Sequence, residues 1–121
     1  MSRYENFVNA LKSLEQQSGN ETITLPVAED EWYTRPKTES YGIVSIDFEA
    51  DAVNGDSLKM DTVHEGSVDL FSMVRGGAGW IQLIKALLTE YWGPSWSLNS
   101  HTYERETGLF HWEWTFEIVE E

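Results

Sequence analysis

GLFHWEWTFEIVEE, residues 108–121, is the stretch that decides the fold, because its apolar residues recur at every second position. Side chains on a β-strand alternate between two faces, whereas a helix needs apolar residues three and four apart. The apolar face of this stretch comprises Phe110, Trp112, Trp114, Phe116 and Ile118. The opposite face comprises His111, Glu113, Thr115 and Glu117. The alternation predicts a core strand with one buried aromatic face and one acidic face in solvent.

Turn signals in the sequence predict two β-hairpins. The closing strand pairs with SWSLNSHTY across ERETG, where Gly108 supplies the turn. A longer hairpin is predicted over residues 43–70, because Asn54-Gly55 is the strongest short hairpin signal. In the resulting register Ile46 faces Val63. Farther along the second strand the apolar residues are Val68 and Leu70, which would lie on the opposite face from Val63. A β-bulge near Gly66 is therefore expected.

Two amphipathic segments predict helices. The first, SRYENFVNALKSLEQQSGN, begins with a capping box at Ser2 and Glu5 and stops at Gly19-Asn20. The second, WIQLIKALLTEYW, follows a glycine-rich connection and ends at Gly93-Pro94. Between the first helix and the long hairpin, ETITLPV predicts a short edge strand, since proline cannot donate to a β-ladder.

The predicted order of elements is α-β-β-β-α-β-β. We expect an α+β fold: a two-layer sandwich of a largely antiparallel four- to five-stranded sheet with two helices on one face. A chain of 121 residues suits a single domain over residues 1–121.

Charge and composition limit the classes of function. Eight basic against 21 acidic residues give 8 − 21 = −13, which disfavours binding to nucleic acid or anionic membrane through phosphate neutralisation. The negative charge is open to three interpretations: it confers solubility, it forms a surface past which nucleic acid slides, or it imitates nucleic acid. With no cysteine, disulfides and thiolate sites are excluded. Neither a signal peptide nor a transmembrane span is expected.

Catalytic patterns are not recognised in the sequence. His64, His101 and His111 lack metal-ligand spacing, and each is interpreted as a surface histidine. GGAG, at residues 76–79, precedes a helix as a phosphate loop does, but it lacks the Lys-Ser/Thr that such loops carry. It is better interpreted as a flexible connection. We therefore expect no enzyme activity, no catalytic or metal site and no cofactor.

Three groups of residues are candidates for a protein interface. Loops between elements carry function without disturbing the core, and basic residues are scarce in this chain. The candidates are Trp32, Tyr33, Arg35 and Lys37 in EWYTRPK, Arg75, Gly76, Gly77 and Gly79 in RGGAG, and Glu113 and Glu117 on the closing strand. For Trp32, packing over the edge of the core is the favoured alternative.

The order of elements, the segment YGIVSIDFEADAVNGDSLKMDTVHEGSVDLFS and the closing YERETGLFHWEWTFEI resemble the tail completion, or tail terminator, proteins of long-tailed bacteriophages. These are also called minor capsid or head–tail joining proteins. Their closing strands commonly carry a Tyr, a short acidic turn and an aromatic strand ending in F-E-I. The corresponding residues here are Tyr103, 104–107 and 116–118.

The resemblance implies a virion structural protein rather than an enzyme. Such a protein caps the tail tube, forms rings that are often hexameric, and contacts the tail-tube protein and the head connector. It would lie in the tail or neck of the virion, and in the host cytoplasm before assembly. The resemblance also gives the acidic residues a role, because a ring that passes DNA benefits from a lumen that repels phosphate.

A second hypothesis comes from the charge alone. A small acidic inhibitor or DNA mimic would bind a basic host protein through the acidic face of the closing strand, with Glu113 and Glu117. Such a complex should weaken steeply with salt.

Overall fold

The computed structural model describes residues 2–32, 34–47 and 62–120. The helices and strands are, in chain order, α1 (Arg3–Lys12), β1 (Glu15–Ser18), β2 (Glu21–Thr24), β3 (Val27–Glu29), β4 (Ser40–Asp47), β5 (Thr62–Ser72), α2 (Trp80–Trp92), β6 (Trp96–Glu104) and β7 (Leu109–Glu120). A five-stranded sheet has the order β3-β4-β5-β7-β6, with β3 parallel to β4 and the other neighbours antiparallel. β1 and β2 form a separate antiparallel hairpin. The predicted α+β class is confirmed. The predicted order α-β-β-β-α-β-β is wrong, because five strands rather than three lie between the two helices.

Both helices pack on one face of the sheet, where the apolar side of β7 forms the centre of the core. Trp112, Trp114, Phe116 and Ile118 are buried as predicted, and Phe110 is partly buried at the end of the row. The ring of Phe116 stacks on Trp92 of α2 at 4.8 Å between centroids and meets Phe7 of α1 edge-on at 5.2 Å. These contacts join α1, α2 and β7.

The first helix is shorter than predicted. The capping box forms, with the Glu5 N–H donating to Ser2 Oγ and the Ser2 N–H to Glu5 Oε1, but the helix ends at Lys12. The following residues are polar and have no apolar stripe to bury, and they form β1. Gly19, with a φ of +63°, is part of the turn between β1 and β2 rather than a helix stop.

The register of the long hairpin also differs from the prediction. Ile46 lies opposite Gly66, not Val63, and the ladders on both sides of β5 run through Gly66 without a shift. The predicted bulge is therefore wrong. A Cβ at position 66 would lie 2.5 Å from Phe116 Cζ, so glycine is needed for the close approach of that ring. The predicted turn at Asn54-Gly55 lies outside the described residues.

Substitution of adjacent residues on β7 tests the assignment of its two faces. We expect Trp114→Ala to lower the free energy of unfolding by about 3–5 kcal/mol, because the fully buried indole leaves a cavity. Glu113→Ala should cost roughly 0.5 kcal/mol or less, since its side chain is only partly buried. Urea unfolding measures both, and equal losses would contradict the assignment.

The contact between Gly66 and Phe116 gives a second prediction. Gly66→Ala should destabilise the protein by about 1–3 kcal/mol, because the new methyl group overlaps the ring. In a Phe116→Leu background the same change should cost less, so that the two effects are not additive in urea unfolding. Gly76→Ala is the control, since nothing lies within 4 Å of its Cβ position. Additive losses would show that the ring does not need this glycine.

Candidate protein interface

The sheet face turned away from the helices, here called the outer face, carries a concentration of charge. Its residues alternate along the strands with those of the core. On the three central strands, those whose side chains the structure describes are Tyr41, Ile43, Ser45, Glu65, Ser67, Asp69, Phe71, Leu109, His111, Glu113, Thr115 and Glu117. Four of these are acidic and none is Lys or Arg. The outer face of these strands is therefore acidic.

The loop after β3 covers one end of the outer face. The Trp32 Nε1–H donates to the Gly42 carbonyl oxygen at 3.1 Å, and the indole meets the Tyr41 ring edge-on. Trp32 therefore packs over the edge of the sheet, as the alternative interpretation held. Tyr33 lies outside the described residues.

A groove of about 460 Å³ lies between this loop and the β6–β7 turn. Its floor is formed by the buried side chains of Tyr41 and Leu109, and Met73, which is 63% exposed, forms part of its wall. Arg35 and Lys37 line its loop side. Burial raises the pKa of the Tyr41 hydroxyl, and the nearby charge of Arg35 partly offsets the rise. The groove thus combines an apolar floor with two cations.

Neither cation is neutralised by a residue that the structure describes. Across residues 2–32, 34–47 and 62–120, Arg35 and Lys37 form no ion pair, although this chain has far more acids than bases. Both side chains are exposed. An anionic group from outside the chain can therefore reach them without displacing an internal partner.

Glu113 and Glu117 lie farther along the outer face. Glu113 Oε1 accepts a hydrogen bond from Asn99 Nδ2 at 2.7 Å, and Glu117 is exposed. At about 3.3 Å per residue along β7, the two carboxylates lie about 13 and 26 Å from Leu109 in the groove floor. Neither reaches the groove, so the cations and these two acids form separate ends of one face.

The glycine-rich connection does not join either group. Its residues Gly77–Gly79 form a short 3₁₀ turn in which Gly77 is buried and Gln16 Nε2 donates to the Ala78 carbonyl oxygen at 2.9 Å. Gly76 precedes this turn and Gly79 is its last residue, and the Arg75 guanidinium lies 5.6 Å from the centroid of Phe110. Since Phe110 belongs to the helix side of β7, Arg75 is not on the outer face.

A histidine held between two carboxylates connects three strands of the outer face. His111 Nε2 lies 2.6 Å from Asp69 Oδ1, and His111 Nδ1 lies 3.2 Å from Glu104 Oε2. The hydrogen bond with Asp69 raises the pKa of His111; burial opposes the rise, while the charges of both carboxylates add to it. The ring also stacks on Phe71 at 4.1 Å. With both nitrogens facing acceptors, the imidazolium form fits this position.

This cluster was missed from the sequence, which predicted a surface histidine. The three residues are far apart in the chain and meet only because β5 and β6 both pair with β7. The alternation of β7 placed His111 on the correct face, but the partners depend on register. The groove was missed for the same reason, since it joins loops that are distant in sequence.

No set of three His, Asp or Glu side chains among the described residues has the arrangement to hold a metal ion. In the described part of the chain, no helix is long and apolar enough to cross a membrane. A scan against protein-family models found no matching family, and searches of curated proteins and of solved structures found no match.

The His111 cluster predicts a pH-dependent stability. The pKa of His111 is raised in the folded state, so the imidazolium should stabilise the fold. This stabilisation should be fully present below the unfolded pKa of about 6.5 and should be lost as the pH rises through the folded pKa. Urea unfolding should therefore show a loss for His111→Gln that is largest in acid and shrinks above neutral pH. His101→Gln is the control, since His101 stacks on Trp112 and is exposed. A loss for His111→Gln that is constant with pH would contradict this role.

Proposed function

We propose that the chain is a structural subunit of a phage or prophage tail, a tail completion or terminator protein that caps the tail tube and helps to join tail to head. The observation that carries the proposal is the separation of charge on the outer face. Two cations without an ion-pair partner among the described residues border an apolar groove at one end, and the carboxylates of Glu113 and Glu117 lie beyond it. The resemblance of the closing hairpin to that family supports the same role.

The charge pattern suits a contact between identical subunits. The basic groove of one copy, with Arg35 and Lys37, meets the acidic strand of the next, with Glu113 and Glu117. Because the two surfaces differ, the contact is head-to-tail and closes into a ring when the rotation fits. Carboxylates outside the contact then repel DNA phosphate in the lumen. The tail-tube protein and the head connector would bind the two sides of this ring.

Charge reversal tests the contact. In Glu113→Lys/Glu117→Lys, we expect the monomer to fold but ring formation to be lost, because like charges then face each other. Arg35→Glu/Lys37→Glu should fail in the same way. An equimolar mixture of the two variants should assemble again, since every contact then joins opposite charges. Mass photometry over a concentration series measures the assemblies, with circular dichroism as the test of folding.

Glu15→Lys/Glu90→Lys is the matched control. It changes the net charge by the same amount at exposed residues of β1 and α2, away from the outer face, and should leave assembly unchanged. If the wild-type chain forms no species larger than a dimer, or if Glu113→Lys/Glu117→Lys assembles normally, the acidic strand is not in a ring contact.

The acidic outer face also fits the second hypothesis, an inhibitor or DNA mimic that binds a basic host protein. The specific observation is that the described side chains of the three central strands include four carboxylates and no Lys or Arg on this face. In that case Glu113→Lys/Glu117→Lys would abolish capture of a nucleic-acid-binding protein, and salt would weaken the capture steeply. Its self-assembly would not change.

A further inference from the structure

One edge of the sheet is long and unprotected. β6 has nine residues and pairs with β7 on one side, and no backbone hydrogen bond joins its other side to any residue that the structure describes. The opposite edge, β3, has three residues. Natural sheets protect long edges with charges, proline or bulges. From Trp96 to Tyr103, β6 has neither a charge nor a proline, and a bulge between Leu98 and Ser100 is its one irregularity.

The row of apolar and aromatic side chains on the helix side of the sheet continues onto β6, where it is exposed to solvent. Leu98, His101 and Tyr103, here called the edge row, lie on the helix side of β6. His101 stacks on Trp112 and Tyr103 packs on Phe110, both at 4.7 Å between centroids. Leu98 and Tyr103 are nevertheless 52% and 53% exposed. The edge therefore offers unpaired backbone groups together with apolar side chains.

The charge distribution indicates which strand fits there. Residues 91–103 carry no charged side chain, and this is the longest such stretch in a chain of net charge −13. Two copies of so acidic a chain repel each other least where neither presents a carboxylate. A second β6 comes closest to that condition, because its single carboxylate, Glu104, lies at the end of the strand and is 3.2 Å from His111 Nδ1. An acidic strand would instead be placed one strand away from Glu113 and Glu117 of β7.

We propose that two copies of the chain associate through β6, antiparallel about a twofold axis at Thr102, to form one continuous sheet. In this register Thr102 faces Thr102 of the second copy and His101 faces Tyr103 of the second copy. Opposed side chains then share a face, and Thr–Thr and aromatic pairs are favourable across antiparallel strands. The contact uses the regular part of β6 after the bulge. It is isologous, does not depend on the proposed function, and differs from the head-to-tail contact.

A single cysteine tests the register. The chain has no cysteine, so Thr102→Cys introduces one thiol. Directly opposed residues of antiparallel strands have Cα atoms about 4.5–5.5 Å apart, within the range of a disulfide. We expect a covalent dimer of Thr102→Cys under mild oxidation. Thr22→Cys, at an exposed position of β2, is the matched control and should remain largely monomeric on a non-reducing gel.

A charge at the axis tests the association without covalent chemistry. Thr102→Lys places two like charges opposite each other, and we expect the dimer dissociation constant to rise at least about tenfold in sedimentation equilibrium. Thr22→Lys should leave it unchanged. Circular dichroism and thermal unfolding establish that both variants fold.

A concentration-dependent dimer that is weakened by Thr102→Lys and cross-linked by Thr102→Cys supports the proposal. A monomeric wild-type chain without cross-linking overturns it, and so does a dimer that Thr102→Lys leaves intact. A dimer weakened by Thr102→Lys without cross-linking overturns the register centred on Thr102. Loss of rings in Glu113→Lys/Glu117→Lys with retention of this dimer separates the two contacts.

Discussion

The packing of Phe116 on three other elements is the contact on which the rest of the structure depends. Its ring stacks on Trp92, meets Phe7 edge-on and lies over Gly66, so α2, α1 and β5 all converge on one residue of β7. Because both helices bury their apolar faces here, the opposite face of the sheet carries the acidic residues of the central strands, with apolar residues gathered at its groove end. The indole N–H groups of Trp92 and Trp114 are buried and find no acceptor among the described residues. The area that these rings bury outweighs such unmet hydrogen bonds.

Much of this arrangement was predictable because it depends on local alternation. The sequence of β7 has apolar residues at every second position. In the structure the side chains at these positions are buried, namely Trp112, Trp114, Phe116 and Ile118. The capping box at Ser2 and the turn before Gly108 are likewise set by neighbours in the chain. Such features need no knowledge of the tertiary structure.

The errors arose where distant residues decide the outcome. The sequence predicts a bulge near Gly66, because the apolar residues after it do not fit the expected register. In the structure this glycine instead leaves room for the ring of Phe116 on β7. Gly19 was interpreted as a helix stop, although Gly-Asn is also a hairpin signal. The partners of His111 lie on two different strands, so alternation gave its face but not its neighbours. Register and long-range pairing are not encoded in any short window of sequence.

The positions of the charged residues indicate more about association than the net charge does. A net charge of −13 spread evenly would favour solubility alone. In the described residues, however, Arg35 and Lys37 have no ion-pair partner beside an apolar groove, and residues 91–103 carry no charge. The first feature attracts an acidic surface and the second permits close approach of a like-charged copy. The remaining acids then oppose most other contacts, since unscreened like charges disfavour association. In the two contacts that we propose, the acidic surface would select against wrong partners, and the two exceptions would mark where association is permitted.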